Sequence, residues 1–445
     1  MESQTVPLQI GTPRTSSAKT GDVHSDPEKV SPLASAPAIT FPEGGLRGWL
    51  TVLGGALVLM CTFGNVQSFG VYQDYYTRVH LKNHPPSEIS WIGSLQIFFL
   101  FFLGIPAGKL FDDGHFHLSL ISGSIILSVS SFMLSLAKPF QYYQCFLAQG
   151  VGMGIGMGLM FLPAISVSSH YFRARRSLVM GLILAGASLS AVIHPILLNN
   201  IFKRKDGFAK GVRYASIMDL GFLVIANSIM RTRLPVRKNK MSPLRVVREV
   251  IMRDGPYLTH VAGTALIFWG LFVPFFYFQL FTALHGIPSG LVTYSISIMN
   301  VASIFGRTLP NLLSDRYGVF NVYIPFGLIS ALLVFALLGS SNVAGVVLFG
   351  IFYGSVYRYW ASLISLHHRG EDLMSLSIRM RVGVTCTALA FTCLTGNPIA
   401  GALLSPPHYT WWRPLLFATI VLLSGVVLLA IARAGLSRRR GTQRV

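Results

Sequence analysis

Apolar runs recur along nearly the whole chain, and most come close to the roughly 20 residues needed to cross the hydrocarbon core of a bilayer. They fall at about 48–72, 90–111, 118–137, 142–169, 177–200, 211–231, 257–284, 291–313, 319–339, 342–366, 376–404 and 411–433. Backbone in lipid must satisfy its own hydrogen bonds, so runs of this length are helices. A transmembrane β-barrel would show short alternating segments instead. Over 445 residues only 12% are charged and 52% are hydrophobic. A soluble domain carries about a quarter charged residues. The expected fold is therefore an all-α polytopic membrane protein with twelve transmembrane helices.

The ends and joints of the runs suggest how they are arranged. Residues 1–45 are rich in Ser, Thr and Pro and lack the apolar core of a signal peptide. They read as a disordered cytoplasmic tail. A basic linker at 232–256, with Pro235 and Pro243, divides the spans six and six, as 46–231 and 257–434. A short basic tail, 435–445, closes the chain. Most loop lysines and arginines, including Arg173, Arg175, Arg176 and Arg438, fall on the side shared by both termini. That side is expected to be cytoplasmic by the positive-inside rule. Lys203, Arg204 and Lys205 lie on the other side and go against this trend.

The net charge of +20 resides largely in these loops, which fits anionic lipid better than nucleic acid. Cys61, Cys145, Cys386 and Cys393 all sit in apolar runs without metal-ligand spacing, so neither a metal nor a disulfide framework is expected. Gly150, Gly154 and Gly158 repeat every fourth residue. On a spanning helix this is a close-packing seam, whereas a nucleotide loop would need a preceding strand. Walker motifs and catalytic triads do not stand out, so no cofactor and no enzymatic activity are expected.

An internal repeat strengthens the two-half plan. GKLFDDGHF (108–116) and LLSDRYGVF (312–320) occupy equivalent loops in the two halves. Lys109, Asp112, Asp315 and Arg316 are candidates for holding one conformational state through helix-end charge. Ordinary capping would explain either copy taken singly.

With these features in place, the chain resembles the monocarboxylate porter family of the major facilitator superfamily, in its fungal branch. The resemblance rests on PEGGLRGW (42–49), FGVYQDYY (69–76), QGVGMGIGMG (149–158), HYFRARRSLVMG (170–181), NVASIFGR (300–307), SDRYGVFNV (314–322) and TGNPIAGALL (395–404). It implies secondary transport of a small organic solute, often an anion moving with a proton, bound near the membrane midplane between two rocking halves. By this resemblance Arg307 matches an arginine linked to the substrate carboxylate. The animal proton–lactate branch has an acid one turn earlier and a lysine in span one. Here Ser303 stands at the first place, and the second lies in SFGVY without a cation.

Other candidates come from the cost of polar groups in lipid. Arg358, among Tyr357, Tyr359 and Trp360, suits an acidic or aromatic ligand, or else snorkels to an interface. Asn65, Gln67, Tyr72 and Asn300 offer hydrogen bonds to a solute or between helices. Asp219 and His194 are candidate proton-binding groups, with a packing role beside Pro195 as the alternative for His194. Together these point to a monomeric transporter in the plasma membrane, exporting a fungal secondary metabolite. Proton-coupled uptake of a monocarboxylate or other nutrient is the alternative. A non-transporting sensor on a transporter scaffold is the remaining one.

Overall fold

The computed structural model describes residues 43–172, 175–204, 207–233, 252–366, 376–405 and 408–442. Among the described residues twelve helices cross the molecule: α1 Leu46–His80, α2 Pro86–Asp112, α3 Phe116–Leu134, α4 Tyr142–His170, α5 Arg176–Phe202 and α6 Gly207–Ile229 in one half. In the other half are α7 Gly255–Leu284, α8 Ser289–Tyr317, α9 Val319–Ala336, α10 Val343–Leu366, α11 Leu376–Leu403 and α12 Trp412–Arg440. Ten of the helices are long and apolar enough to span by composition among the described residues. Helices α8 and α10 supply the apolar segments Ser289–Ile304 and Val343–Tyr357.

Boundaries differ from the sequence reading where polar residues continue a helix. The first helix runs on to His80; its 35 residues amount to about 50 Å at 1.5 Å each, so it outruns the hydrocarbon. The sixth helix starts at Gly207, taking in Lys210 and Arg213. The last continues through Arg438 and Arg439 to Arg440 and stops at Gly441, whose φ of 63° is left-handed. Most of the expected linker, 234–251, and the tail residues 1–42 lie outside the described residues.

Each half is zipped by helix pairs whose backbones nearly touch. Gly150, Gly154 and Gly158 of α4 face Ile92, Gln96 and Phe99 of α2, with no room for a larger side chain at Gly158. The equivalent pair in the other half is α8 with α10, where Gly306 lies on Ser355 and Gly354 on Met299. Gly64 of α1 packs on Ser190 of α5, and Gly396 of α11 packs on Trp269 of α7. Small residues that recur at matching joints let main chains approach closely, which drives helix association in lipid. The halves meet along α2 with α11, along α5 with α8, and where the end of α1 meets the end of α7.

Candidate functional site

The first helix is irregular where it meets the other half. A π-helical turn occupies Met60–Gly64, and the regular helix resumes at Phe69 after Ser68. Such turns re-aim side chains and concentrate at functional positions. Beyond the break, Gly70 lies directly on the carbonyl of Phe275 in α7 and beside Ile296 of α8. Phe69 packs on Phe276, with ring centroids 4.7 Å apart. These contacts seal the interface toward the end of the molecule where α1 finishes.

A polar latch lies just beyond the seal. Asp74, only 1% exposed, is paired with Arg78 one turn on and accepts from Gln279 Nε2 of α7 at 3.0 Å. Gln279 and Asn199 of α5 exchange side-chain hydrogen bonds at 2.9 and 3.2 Å. Asn199 also donates to the carbonyl of Thr293 in α8 at 2.9 Å, and Lys203 donates to the Thr293 hydroxyl at 2.7 Å. Four helices from both halves are thus tied together. Lys203, which goes against the loop-charge trend, has its partner here.

On the other side of the seal lie Gln67 and Asn300. Gln67 is one turn before Gly70 on α1, and Asn300 is one turn past Ile296 on the oppositely running α8. The two amides therefore stand at matching depth. Both are buried, at 2% and 0% exposed. Gln67 Nε2 donates to the carbonyl of Phe63 at 3.1 Å, and Asn300 Nδ2 donates to that of Ile296 at 3.0 Å. A carbonyl accepts only from the nitrogen, so these bonds fix the amide orientations. Gln67 Oε1 and Asn300 Oδ1 remain without a hydrogen-bond partner among the described residues. Buried acceptors are nearly always satisfied, so two at one level offer hydrogen-bonding positions that a donor can take up.

Aromatic rings surround this level. A chain runs from Phe161 to Phe63 at 5.8 Å, to Phe101 at 6.4 Å, and across the halves to Phe268 at 6.5 Å. It continues to Phe272 at 6.0 Å and Tyr357 at 5.8 Å. Tyr72 instead lies on the latch side of the seal, facing Tyr76 and Phe202, each at 5.8 Å, inside the first half.

Asn65 does not join Gln67. It donates to Asp219 Oδ2 of α6 at 3.2 Å, and Asp219 Oδ1 lies 3.2 Å from His194 Nε2 of α5. The two candidate proton-binding residues therefore meet within one half, with exposures of 1% for His194 and 4% for Asp219. Of the helix-end charges, Lys109 is exposed and Asp112 half-buried at the end of α2. Arg316 is exposed and lies 5.6 Å from the ring of Tyr317. The backbones of Arg307, Asp315 and Arg358 are helical on α8 and α10, but their side chains lie outside the described residues.

Sequence reasoning missed Asp74, Gln279 and Asn199. Asp74 falls beyond the first apolar run, 48–72, so the cost of a carboxylate in lipid, which singles out Asp219, does not reach it until the helix is seen to continue to His80. Gln279 and Asn199 carry no such signal, because neutral amides are common between spanning helices.

The family model described as Major Facilitator Superfamily matches residues 51–373. The chain is 34% identical over 404 residues to the aspyridones efflux protein of Emericella nidulans, covering 91% of this chain and 81% of that one. To the agnestins efflux protein of Paecilomyces divaricatus it is 34% identical over 418 residues, covering 93% and 94%. Among solved structures, the nucleoside transporter NupG superimposes with a TM-score of 0.63 at 14% identity, covering 86% of this chain and 98% of that one. A twelve-helix architecture of two pseudo-equivalent halves defines a secondary transporter of small solutes, embedded in a membrane by many spans. This chain belongs to the Major Facilitator Superfamily.

Proposed function

We propose that the chain exports a small organic secondary metabolite across the plasma membrane of a fungus by alternating access. The observation that carries this reading is the pair of unpartnered amide oxygens at Gln67 and Asn300, set beside a run of aromatic rings where the halves meet. A solute with a flat conjugated body and hydroxyl or amide donors satisfies both elements. The two named relatives are efflux proteins of fungal products, which supports outward transport.

In this reading both termini are cytoplasmic and the protein works as a monomer. The latch then closes the extracellular end, and the solute enters from the cytoplasmic side. Arg307 and Arg358 supply positive charge to a solute bearing an acidic group. Lys109, Asp112, Asp315 and Arg316 act at the cytoplasmic helix ends as the halves rock. Membership in the monocarboxylate porter branch rests on the motif series, and the exported solute is then a relative of the carboxylates that branch carries.

Expression in a host fed with aromatic polyketide or pyridone products tests the proposal. Export should lower the intracellular-to-medium ratio of at least one product, and the effect should vanish in Arg307→Ala. Equal ratios with and without the chain across the panel overturn the export reading.

A further inference from the structure

We propose that His194 and Asp219 together hold a single exchangeable proton, and that its loss and gain bias the position of α5 against α1. The inference rests on the transport reading for its purpose but not for its chemistry.

The hydrogen bonds around the imidazole count the proton. Ser190 Oγ donates to the carbonyl of Met60 at 2.7 Å, an oxygen set within the π-helical turn of α1. The hydroxyl hydrogen of Ser190 is therefore committed. His194 Nδ1 lies 2.8 Å from that Oγ and 3.2 Å from the carbonyl of Ser190. Both neighbours now accept, so Nδ1 carries a hydrogen. A neutral imidazole has only one N–H, and Nε2 would then face Asp219 as a bare lone pair. At 3.2 Å from Oδ1 and 3.4 Å from Oδ2, two bare acceptors repel. One more proton must lie between them, on Nε2 or on the carboxylate.

With that proton the pair is neutral overall; without it, one negative charge is left in the interior of a membrane-embedded half. Only Asn65 donates to the carboxylate from α1 among the described residues, at 3.2 Å. Among the described residues, the other titratable groups facing the pair are Cys61 and Tyr72, both on α1. Cys61 Sγ points at the main-chain carbonyl of Asp219, not at its carboxylate. From α3, Ser131 meets Ser216 of α6 and brings no charge. A buried charge so poorly compensated is strongly disfavoured. The proton therefore leaves only when α1, α5 and α6 part enough to admit water.

Two of those helices, α1 and α5, also take part in the seal and the latch. Asn199 follows His194 on α5 and bonds to α7 and α8. Asn65 precedes Gly70 on α1, which rests on α7. Parting α5 from α1 at His194 thus disturbs the latch, and opening the latch exposes the pair.

The purified full chain in lipid nanodiscs tests this without a known solute. Proton release is measured by back-titration between about pH 5 and about pH 9. Spin labels on Lys138→Cys and Ser341→Cys report separation of the halves at the latch end, the four native cysteines being buried. The wild type should show the ratio of its two distance classes changing about tenfold across this range. Asp219→Asn should release one proton fewer and lose the pH response, and Asp219→Ser, which likewise removes the carboxylate, should do the same. The second variant decides the matter where the first fails to remain monodisperse. Wild-type proton counts or an unchanged pH response in a folded variant overturn the proposal. An absence of solute export by the wild type, with the proton count intact, would overturn the transport reading and leave the proton site standing.

Discussion

Asp74 of α1 accepts a hydrogen bond from Gln279 of α7 at 3.0 Å, joining the two halves through a carboxylate that is 1% exposed. A hydrogen bond to a charged group contributes about 1.5–3 kcal/mol. Gln279→Leu removes it together with both bonds to Asn199, while Asn199 stays on Thr293 and Arg78 on Asp74. The latched state should lose about 10- to 100-fold in population. Spin-label distances across this end measure the shift, and an unchanged distribution refutes the role of the latch.

Gly70 should tolerate no side chain while the seal is closed, because a Cβ would press into the carbonyl of Phe275. Gly70→Ala is expected to favour the unsealed arrangement without loss of folded protein. Thiol-reactive labelling of Ser297→Cys, a buried position on α8 facing α5 that takes no part in the latch, provides the measure. Faster labelling in the alanine background is the expected outcome.

If the unpartnered acceptors at Gln67 and Asn300 receive donors from the solute, removing one should weaken binding. Gln67→Leu is expected to raise KM about fivefold, the equivalent of about 1 kcal/mol. The maximal rate should change less, since the seal and latch are untouched. Concentration-dependent export of an identified product gives both constants.

Asp254 lies at the start of α7 and binds Arg381 of α11 at 2.9 Å and Arg439 of α12 at 3.0 Å. It also caps α7 through the amide of Tyr257 at 3.5 Å. Partly exposed ion pairs are weak, so Asp254→Ala should cost about 1–2 kcal/mol in total, mostly through the cap. The thermal midpoint of the purified protein should fall, and high salt should narrow the gap from the wild type.

The helices were legible from apolar length, because hydrocarbon leaves the backbone no other choice, and their division into halves from the basic linker and the repeated loop. The glycine seam of α4 was legible as well, since a four-residue spacing presents one face. The meeting of His194 and Asp219 was not, although each residue was singled out. Their contact depends on α5 lying beside α6 in the right register, and spacing along the chain does not specify that. The latch was hidden for the same reason: Gln279 and Asn199 are ordinary amides until two halves bring them together. Helix limits drifted at Gly207 and Arg440 because hydropathy marks the lipid boundary, while a helix stops only where its caps allow.

The backbone-to-backbone joints inside each half make that half a stiff lever. With α1 resting on α7 at Gly70, the contact point becomes a fulcrum. Bending within a helix pair would separate main chains that already touch, so displacement must appear as tilt about that point. The largest solute that can pass is then governed by the swing of two levers, and changes along the glycine seams would alter how much cargo fits without touching any residue the cargo meets.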